Sequence, residues 1–290
     1  MKFWTQAVNK VCSHARNVAL AHSLFALPFA YIALMLAAEG KPSTAVVFWV
    51  TLAMVAARSA ALALNNLIDL RYDKKQPRFR RRPLVTGELD KAECLLFIVL
   101  CLGVFFWSAA QLHPICIWLS PIVLLFFVVY PYMKRFSWTC HLILGLTLAL
   151  APLAAWIAVK GTVAMAIATL AIAVGVWIAG FDIVYGCLDV DFDKANGLHS
   201  IPEQFGVSKA LLISRVFHLT SVVGFVIAGH LFGLGPLYYG GILLAALVLY
   251  YQHRLVQAED LTQVTQAYFL RNGFVGISLF LSTFLSVVLD

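Results

Sequence analysis

The chain has 290 residues, of which 62% are hydrophobic and only 12% are charged. A soluble domain carries about 25% charged residues, so 21 Lys and Arg together with 14 Asp and Glu are too few to cover a water-facing surface of this size. Composition therefore excludes an ordinary soluble globular domain.

Long apolar runs recur along the whole chain and predict membrane-spanning helices. A helix needs about 20 apolar residues to cross a hydrocarbon layer about 30 Å thick. Lipid offers no hydrogen-bond partners to an open backbone, so such runs must be helical. The first run has no tight basic cluster before it and no A-x-A pattern after it, which favours a retained helix over a signal peptide. Nine spans are predicted, at about 17–38, 44–68, 92–111, 114–132, 138–159, 162–187, 207–232, 234–251 and 271–289.

The connections between the predicted spans alternate in charge. Most Lys and Arg residues lie before the first span and after the second, fourth, sixth and eighth, whereas the opposite side carries only Lys41 and Lys160. Because basic loops stay in the cytoplasm, the N-terminus is predicted to be cytoplasmic and Asp290 to lie outside. The sequence therefore predicts an all-α polytopic protein of the cell (inner) membrane, in a single domain over residues 1–290, and its net charge of +7 is largely a topology signal.

Six of the 14 acidic residues lie in two short windows, at the predicted cytoplasmic ends of the second and sixth spans. In the first window, Asn65, Asp69 and Asp73 recur every four residues and share one helix face. The equivalent placement of the two windows hints at a diverged internal repeat, with halves at about 1–135 and 136–290.

The second window places Asp182, Tyr185, Asp189 and Asp193 on one face, whereas Asp191 points elsewhere. Stacked carboxylates repel one another, and ionisable groups at membrane depth cost about 2.5–3.5 kcal/mol each on insertion scales. Mg²⁺ suits oxygen ligands and usually binds one or two carboxylates plus substrate phosphates. We therefore predict a Mg²⁺ site that joins both windows to a diphosphate, with the ligands Asn65, Asp69, Asp73, Asp189 and Asp193. For either window alone, the alternative is a polar helix end that emerges into water.

Basic residues near the windows are candidates to bind the diphosphate. Arg82 belongs to a basic segment directly after the first window, and Lys134 ends the fourth span; both are predicted to contact phosphate oxygens. Contact with anionic lipid is the alternative for each. Arg58 lies seven residues before Asn65 on the same face, deeper in the membrane, so it is predicted to bind the acceptor's carboxylate or the diphosphate, or else to pair with a nearby carboxylate.

Aromatic and imidazole side chains add weaker predictions. The ring of Tyr185 is predicted to face an allylic cation, or its hydroxyl to bond a phosphate oxygen, with simple packing as the alternative. His22 in the first span and His141 in the fifth are interpreted as core histidines whose hydrogen bonds are satisfied by neighbours.

These motifs resemble those of a known family. The pattern Asn65-Asn66-x-x-Asp69-x-x-x-Asp73 resembles the first motif of the UbiA-type intramembrane prenyltransferases, and Arg82-Pro83-Leu84-x-x-Gly87 resembles the sequence that follows it. The pattern Asp182-x-x-Tyr185-x-x-x-Asp189-x-x-x-Asp193-x-x-x-Gly197 resembles their second motif. The resemblance covers essentially the whole chain. It implies nine helices around a central cavity open sideways to lipid, dependence on Mg²⁺, and a polyprenyl diphosphate donor.

Two positions depart from the better-known members of that family. Asn66 stands where Asp is frequent, and His199 in Gly197-Leu198-His199-Ser200-Ile201-Pro202 stands where the ubiquinone enzymes tend to have Lys. Both are predicted, with Asp182, to contact substrate. The sequence from Gly197 to Pro202, with His at position 199, resembles that of a bacterial subgroup linked to menaquinone synthesis by the futalosine route. The implied acceptor is therefore 1,4-dihydroxy-6-naphthoate, or 4-hydroxybenzoate as in ubiquinone synthesis.

The predicted activity is transfer of a polyprenyl group from its diphosphate to an aromatic acceptor. Neutralising the diphosphate lowers the cost of allylic C–O cleavage. The residues predicted to serve catalysis directly are Asp69, Asp73, Asp189, Asp193 and Tyr185. Alternatives are a haem farnesyltransferase, chlorophyll synthase or lipid-ether synthase, or an ion or proton transporter, which would spread acids across the membrane depth. No nucleic-acid partner is predicted, and the sequence does not fix prenyl length or oligomeric state.

Overall fold

All regular structure in the described part of the chain is helical. The computed structural model describes residues 2–18, 27–264 and 266–289. The longer helices are α1 (Lys2–Asn17), α2 (Leu27–Ala37), α3 (Thr44–Ile68), α6 (Lys91–Ala110), α7 (Ile115–Met133), α8 (Cys140–Lys160), α9 (Met165–Gly186), α12 (Val207–Phe232), α13 (Pro236–Leu255) and α14 (Gln266–Leu289). Short helices lie between them, α4 (Leu70–Asp73), α5 (Pro83–Thr86), α10 (Val190–Asn196) and α11 (Ile201–Phe205), with 3₁₀ turns at Pro77–Phe79 and Cys187–Asp189.

Seven of the described helices are long and apolar enough to cross a membrane, namely α3, α6, α7, α8, α9 with its continuation to Asn196, α12 and α14. The prediction of an all-α polytopic membrane protein is confirmed. Two of the nine predicted spans are not among the seven. The eighth forms α13, and the first lies partly in residues 19–26, outside the described residues, so that only the 11-residue apolar helix α2 represents it.

Local sequence chemistry sets the helix ends. The Ser43 hydroxyl accepts the backbone N–H of Val46 at the start of α3 (3.3 Å). At the start of α6, Asp90 and Glu93 each accept the other's backbone N–H, which is a capping box. Helix α8 ends where Gly161 adopts a φ of +68°, a conformation that favours glycine. These signals keep most helix ends within a few residues of the predicted span limits.

Helices α8 and α9 cross unusually closely because glycines face each other. A Cβ on Gly145 would lie 2.3 Å from the carbonyl oxygen of Gly175, and a Cβ on Gly175 would lie 2.9 Å from that of Gly145. Small residues let membrane helices approach until their backbones touch. This crossing fixes the position of α9, which carries the second acidic window, against α8.

The largest buried apolar cluster joins α2, α3, α8, α9, α12, α13 and α14. Many large apolar side chains lie on the outer surface instead, including Leu96, Trp118, Leu219 and Leu247. Such an extensive apolar exterior is costly in water but matches the hydrocarbon of a bilayer. The fold therefore buries one core and presents a second apolar surface to lipid.

Candidate diphosphate site

A cavity of about 850 Å³ between α3, α7, α8 and α9 collects both acidic windows. Its wall includes seven residues predicted from the motifs, Asn65, Asp69, Asp73, Asp182, Tyr185, Asp189 and Asp193. Three predicted basic residues, Arg58, Arg82 and Lys134, line the same cavity. The structure therefore brings together ten of the predicted site residues, which come from distant parts of the chain.

Neither window is the straight helical ladder that its spacing predicted. Helix α3 ends at Ile68, Asp69 has φ −89° and ψ 1°, and a new short helix starts at Leu70. In the second window, the α-helix ends at Gly186 and a 3₁₀ turn intervenes before α10. Each window thus bends near the middle of its motif, and the carboxylates still reach the cavity on both sides of the bend.

The carboxylates of the first window are buried and paired with cations. Asp69 is only 3% exposed and contacts Lys134 Nζ at 2.8 Å and Arg135 Nη2 at 3.1 Å. Asp73, also 3% exposed, accepts a hydrogen bond from Arg82 Nη1 at 2.5 Å. Burial raises the pKa of the Asp73 carboxyl, and the Arg82 guanidinium opposes that rise. The basic residues offset the negative charge of two carboxylates that are buried from water.

The second window is bonded to the loop that follows the first. Gln76 Nε2 and Arg78 Nη1 both donate to Asp189 Oδ1 at 2.8 Å. Asp193 accepts the Ser200 hydroxyl at 3.0 Å. Because Gln76 is three residues from Asp73, its bond to Asp189 places the two windows side by side. They form one site rather than two separate polar helix ends.

Lys134 lies at the centre of this arrangement. Besides its salt bridge to Asp69, it interacts electrostatically with Asp73, Asp189 and Asp193. One ammonium group is thus near carboxylates from both windows. The site therefore already contains basic side chains that could bind a diphosphate. It also contains carboxylates that could bind the divalent cation accompanying that diphosphate.

The donor set fits a hard divalent cation. Four carboxylates and the Asn65 side chain surround one chamber, and Mg²⁺ typically takes one or two carboxylates together with waters and substrate phosphates. In residues 2–18, 27–264 and 266–289, no cluster of three or more His, Cys, Asp or Glu side chains is poised to hold a metal by itself. The carboxylates are bonded to the basic, amide and hydroxyl partners described above instead.

Two predicted substrate residues do not line the cavity. Asn66 follows Asn65 on α3 and so points about 100° away from it; its side chain is buried and donates to the backbone oxygen of Asn17 at 2.6 Å. His199 donates its backbone N–H to the Lys134 oxygen at 2.6 Å, and its ring lies 3.6 Å from Glu203. In this structure Asn66 anchors the end of α1, and the backbone of His199 bonds to that of Lys134; contact of either side chain with substrate stays a prediction.

Several site residues were not assigned from the sequence. Arg78 and Arg135 lie in the same basic segments as Arg82 and Lys134, which were the residues selected. Their positive charge near the acidic windows was a signal that could have identified them as well. Gln76 and Ser200 carried no signal, because a single polar residue in a loop is common. His141 was interpreted as a core histidine; it is buried, yet it lines the cavity and its Nδ1 lies 2.6 Å from Asp182 Oδ2. His22 lies outside the described residues.

Arg58 occupies the deeper, more apolar part of the cavity. It lines the wall with Asn65 and Tyr130, and its Nε is buried with no hydrogen-bond partner among the described residues. An unsatisfied guanidinium nitrogen at membrane depth is costly. This arrangement favours a ligand carrying a second anionic group over a purely structural ion pair.

Fold and site together define a polytopic membrane protein whose chamber is charged at one end and apolar along the rest. The family model of the UbiA prenyltransferase family matches residues 26–275. The solved structure of a UbiA homolog from Aeropyrum pernix K1 is 32% identical, with a TM-score of 0.82 over 91% of this chain and 97% of that one.

Curated relatives agree with this assignment. The 4-hydroxybenzoate octaprenyltransferase of Photobacterium profundum is 30% identical over 89% of both chains. The protein of the same name from Vibrio cholerae is 32% identical over 88% of this chain and 89% of its own. A UbiA homolog from Archaeoglobus fulgidus, solved with GPP and Mg²⁺, shares the fold at 20% identity and a TM-score of 0.77. The chain belongs to the UbiA prenyltransferase family and is a prenyltransferase.

Proposed function

We propose that this protein transfers a polyprenyl group from its diphosphate to a hydroxylated aromatic carboxylate, with Mg²⁺, in quinone biosynthesis. The observation that carries the proposal is the bond from the first window's loop to Asp189, which brings both acidic windows to one cavity. The names of the curated relatives support an aromatic acceptor, and the structure solved with GPP and Mg²⁺ supports the donor and the metal.

The diphosphate binds at the charged end of the cavity. Mg²⁺, when bound, neutralises the diphosphate and makes it a better leaving group. Arg78, Arg82 and Lys134 exchange their present carboxylate partners for phosphate oxygens, as Arg does well through paired N–H donors. The carboxylates they release then become available as ligands. The present ion pairs thus keep the site charge-balanced before the donor arrives.

The prenyl chain occupies the apolar length of the cavity. The lining continues from Asp69 past Ala61 and Ala57 to Val50, and it also includes Val163 beyond the far end of α8. At 1.5 Å per residue, the 19 residues from Asp69 to Val50 span about 28 Å of helix. This is about the thickness of the hydrocarbon layer. A long prenyl tail therefore lies inside the helix bundle while its diphosphate stays at the charged end.

Aromatic side chains surround the place where the allylic carbon would lie. Phe181, Tyr185 and Phe269 line the cavity, and the Phe181 and Tyr185 rings are 5.2 Å apart. Aromatic faces attract cations most strongly when water is excluded. Tyr185 and its neighbours thus stabilise positive charge that develops on the allylic carbon, and the apolar wall keeps water from capturing it.

The positive-inside pattern supports an inner-membrane location with the N-terminus and the charged end of the cavity in the cytoplasm, and with Asp290 outside. Both substrates' charged groups would then enter from the cytoplasmic side. The acids that line the cavity lie at its charged end, apart from Asp182 about two helical turns deeper, whereas a proton relay requires ionisable groups across the whole membrane depth.

A product-mass assay tests the function. The purified protein, in detergent with Mg²⁺, is incubated with geranyl diphosphate or a longer polyprenyl diphosphate and one acceptor at a time, 4-hydroxybenzoate or 1,4-dihydroxy-6-naphthoate. We expect one acceptor to gain the mass of one prenyl group less one hydrogen, with release of diphosphate. Failure of both acceptors, with turnover of an acceptor that is not a hydroxylated aromatic carboxylate, such as haem or a glycerol ether, would reject the proposal.

Arg58→Met tests the acceptor's carboxylate. A hydrogen bond to a charged group is worth about 1.5–3 kcal/mol, so kcat/KM for the acceptor should fall about 10- to 150-fold. The KM for the prenyl diphosphate should not change. Arg58→Lys, the matched control, keeps the charge and should recover part of the loss. A rise in the donor's KM instead would assign Arg58 to the diphosphate.

A further inference from the structure

The glycine crossing of α8 and α9 brings a histidine and an aspartate together across two helices. His141 lies one turn before Gly145 on α8, and Asp182 lies two turns after Gly175 on α9. Because the helices are antiparallel and touch at the two glycines, these side chains meet, with His141 Nδ1 at 2.6 Å from Asp182 Oδ2. The contact depends on the fold and has no signature in the spacing of the sequence.

The imidazole ring of His141 is tightly packed and buried. A Cβ on Gly186 would lie 2.9 Å from His141 Cε1, so any larger residue there would displace the ring. His141 is only 4% exposed, and its Nε2 is buried with no hydrogen-bond partner in the described residues. Both His141 and Gly186 line the cavity. A buried ring with one satisfied nitrogen and a fixed orientation is suited to positioning its partner.

Asp182 differs from the other carboxylates of the site. Asp69, Asp73 and Asp189 are each bonded to Lys or Arg. Among the described residues, the side chain of Asp182 instead contacts the ring of His141. Asp182 is also two helical turns deeper than Asp189. It is therefore displaced from the diphosphate end of the chamber towards the part where the acceptor would lie.

Tyr130 links Asp182 to the candidate carboxylate site. It lines the cavity and interacts electrostatically with both Arg58 and Asp182. Tyr130 is therefore close enough to both Arg58 and Asp182 to interact with each, and it also interacts with Asp69 and Arg82. A hydroxybenzoate presents complementary groups at opposite ends of its ring: an anionic carboxylate for the guanidinium, and a hydroxyl that can donate to an aspartate.

We propose that Asp182 accepts a hydrogen bond from the acceptor's phenolic hydroxyl and that His141 is the positioning residue that fixes this carboxylate. The inference rests on the proposed function. Donation to a carboxylate increases the electron density of the ring, and the fixed geometry places the carbon ortho to the hydroxyl towards the prenyl group. The pair makes only hydrogen bonds: the hydroxyl keeps its proton, and no covalent bond is made or broken by either residue.

His141→Gln and His141→Leu form the matched pair that tests this role. Gln retains an N–H donor for Asp182, whereas Leu retains only bulk. Loss of a residue that orients a metal ligand typically costs about 10- to 100-fold. We expect a comparable loss for a residue that orients a substrate-binding carboxylate, so His141→Leu should reduce kcat/KM for 4-hydroxybenzoate by that amount. His141→Gln should remain within about threefold of wild type. The KM for geranyl diphosphate should be unchanged in both.

Inhibition by 4-methoxybenzoate distinguishes a positioning role from a packing defect, because a packing defect would weaken its binding as well. This compound has the carboxylate but no hydroxyl proton, so its inhibition constant against the acceptor should be the same in wild type and His141→Leu. Equal losses in the Gln and Leu variants, or a loss confined to the donor's KM, would overturn the proposal while wild-type turnover leaves the proposed function intact. Absence of product from the wild-type protein with every aromatic acceptor would overturn both.

Discussion

Asp189→Asn is expected to reduce prenyl transfer by about 10²- to 10³-fold, because electrostatic stabilisation by one group at a reacting centre is typically worth about 2.7–4 kcal/mol. Asn has the same shape and keeps an oxygen that can accept from Gln76 and Arg78, so the fold should persist. It lacks the negative charge needed to hold the metal beside the diphosphate. The rate is measured with saturating donor and acceptor in detergent.

Asp191→Asn is the matched control. Asp191 lies two residues further along the same segment, is exposed, and does not line the cavity. The same chemical change there should leave the rate near that of wild type. If the two variants lose equal activity, or if Asp189→Asn retains full activity with a folded, monodisperse protein, the assignment of Asp189 to the diphosphate site is wrong.

Removal of divalent cations should abolish turnover without unfolding the protein. Each of the four carboxylates predicted to bind the metal, Asp69, Asp73, Asp189 and Asp193, already has a basic, amide or hydroxyl partner, so the fold does not depend on a metal to offset repulsion. EDTA should therefore bring the rate to background and leave the melting temperature nearly unchanged. Addition of Mg²⁺ in excess of the chelator should restore the rate.

Ligand-dependent stability separates the roles of metal and donor. A ligand at 100 times its Kd stabilises the folded state by about 2.7 kcal/mol. Because Mg²⁺ usually binds one or two carboxylates together with substrate phosphates, Mg²⁺ and a prenyl diphosphate together should raise the melting temperature, and either one alone should do so much less. A large loss of stability on adding EDTA alone would instead indicate a structural metal.

The sequence predicted what depends on periodicity. Continuous apolar runs determine the positions of α3, α6, α7, α8, α9, α12 and α14. Spacings of three and four residues predicted one carboxylate face in each window, and both windows line one chamber although each bends near its middle. Charge at the ends of the spans selected Arg82 and Lys134, which line that chamber.

Tertiary contacts account for what sequence reasoning could not predict. Gln76 is significant only because the loop that carries it reaches Asp189, more than 100 residues away. His141 meets Asp182 only because α8 and α9 touch at Gly145 and Gly175. A glycine inside an apolar run does not by itself predict such a helix crossing. Asn66 was selected because it occupies a position of the family motif, yet it is next to Asn65, and neighbouring residues on a helix point in different directions.

Anomalous diffraction from crystals grown with Mn²⁺ and geranyl thiolodiphosphate, an analogue that is slow to react, tests the central claim most directly. Mn²⁺ takes the oxygen ligands that suit Mg²⁺ and can be located by its own signal. We expect manganese to contact carboxylate oxygens of both windows, Asp69 or Asp73 on one side and Asp189 or Asp193 on the other, with the diphosphate between them. A bound diphosphate whose metal contacts one window only, or none, would contradict the account.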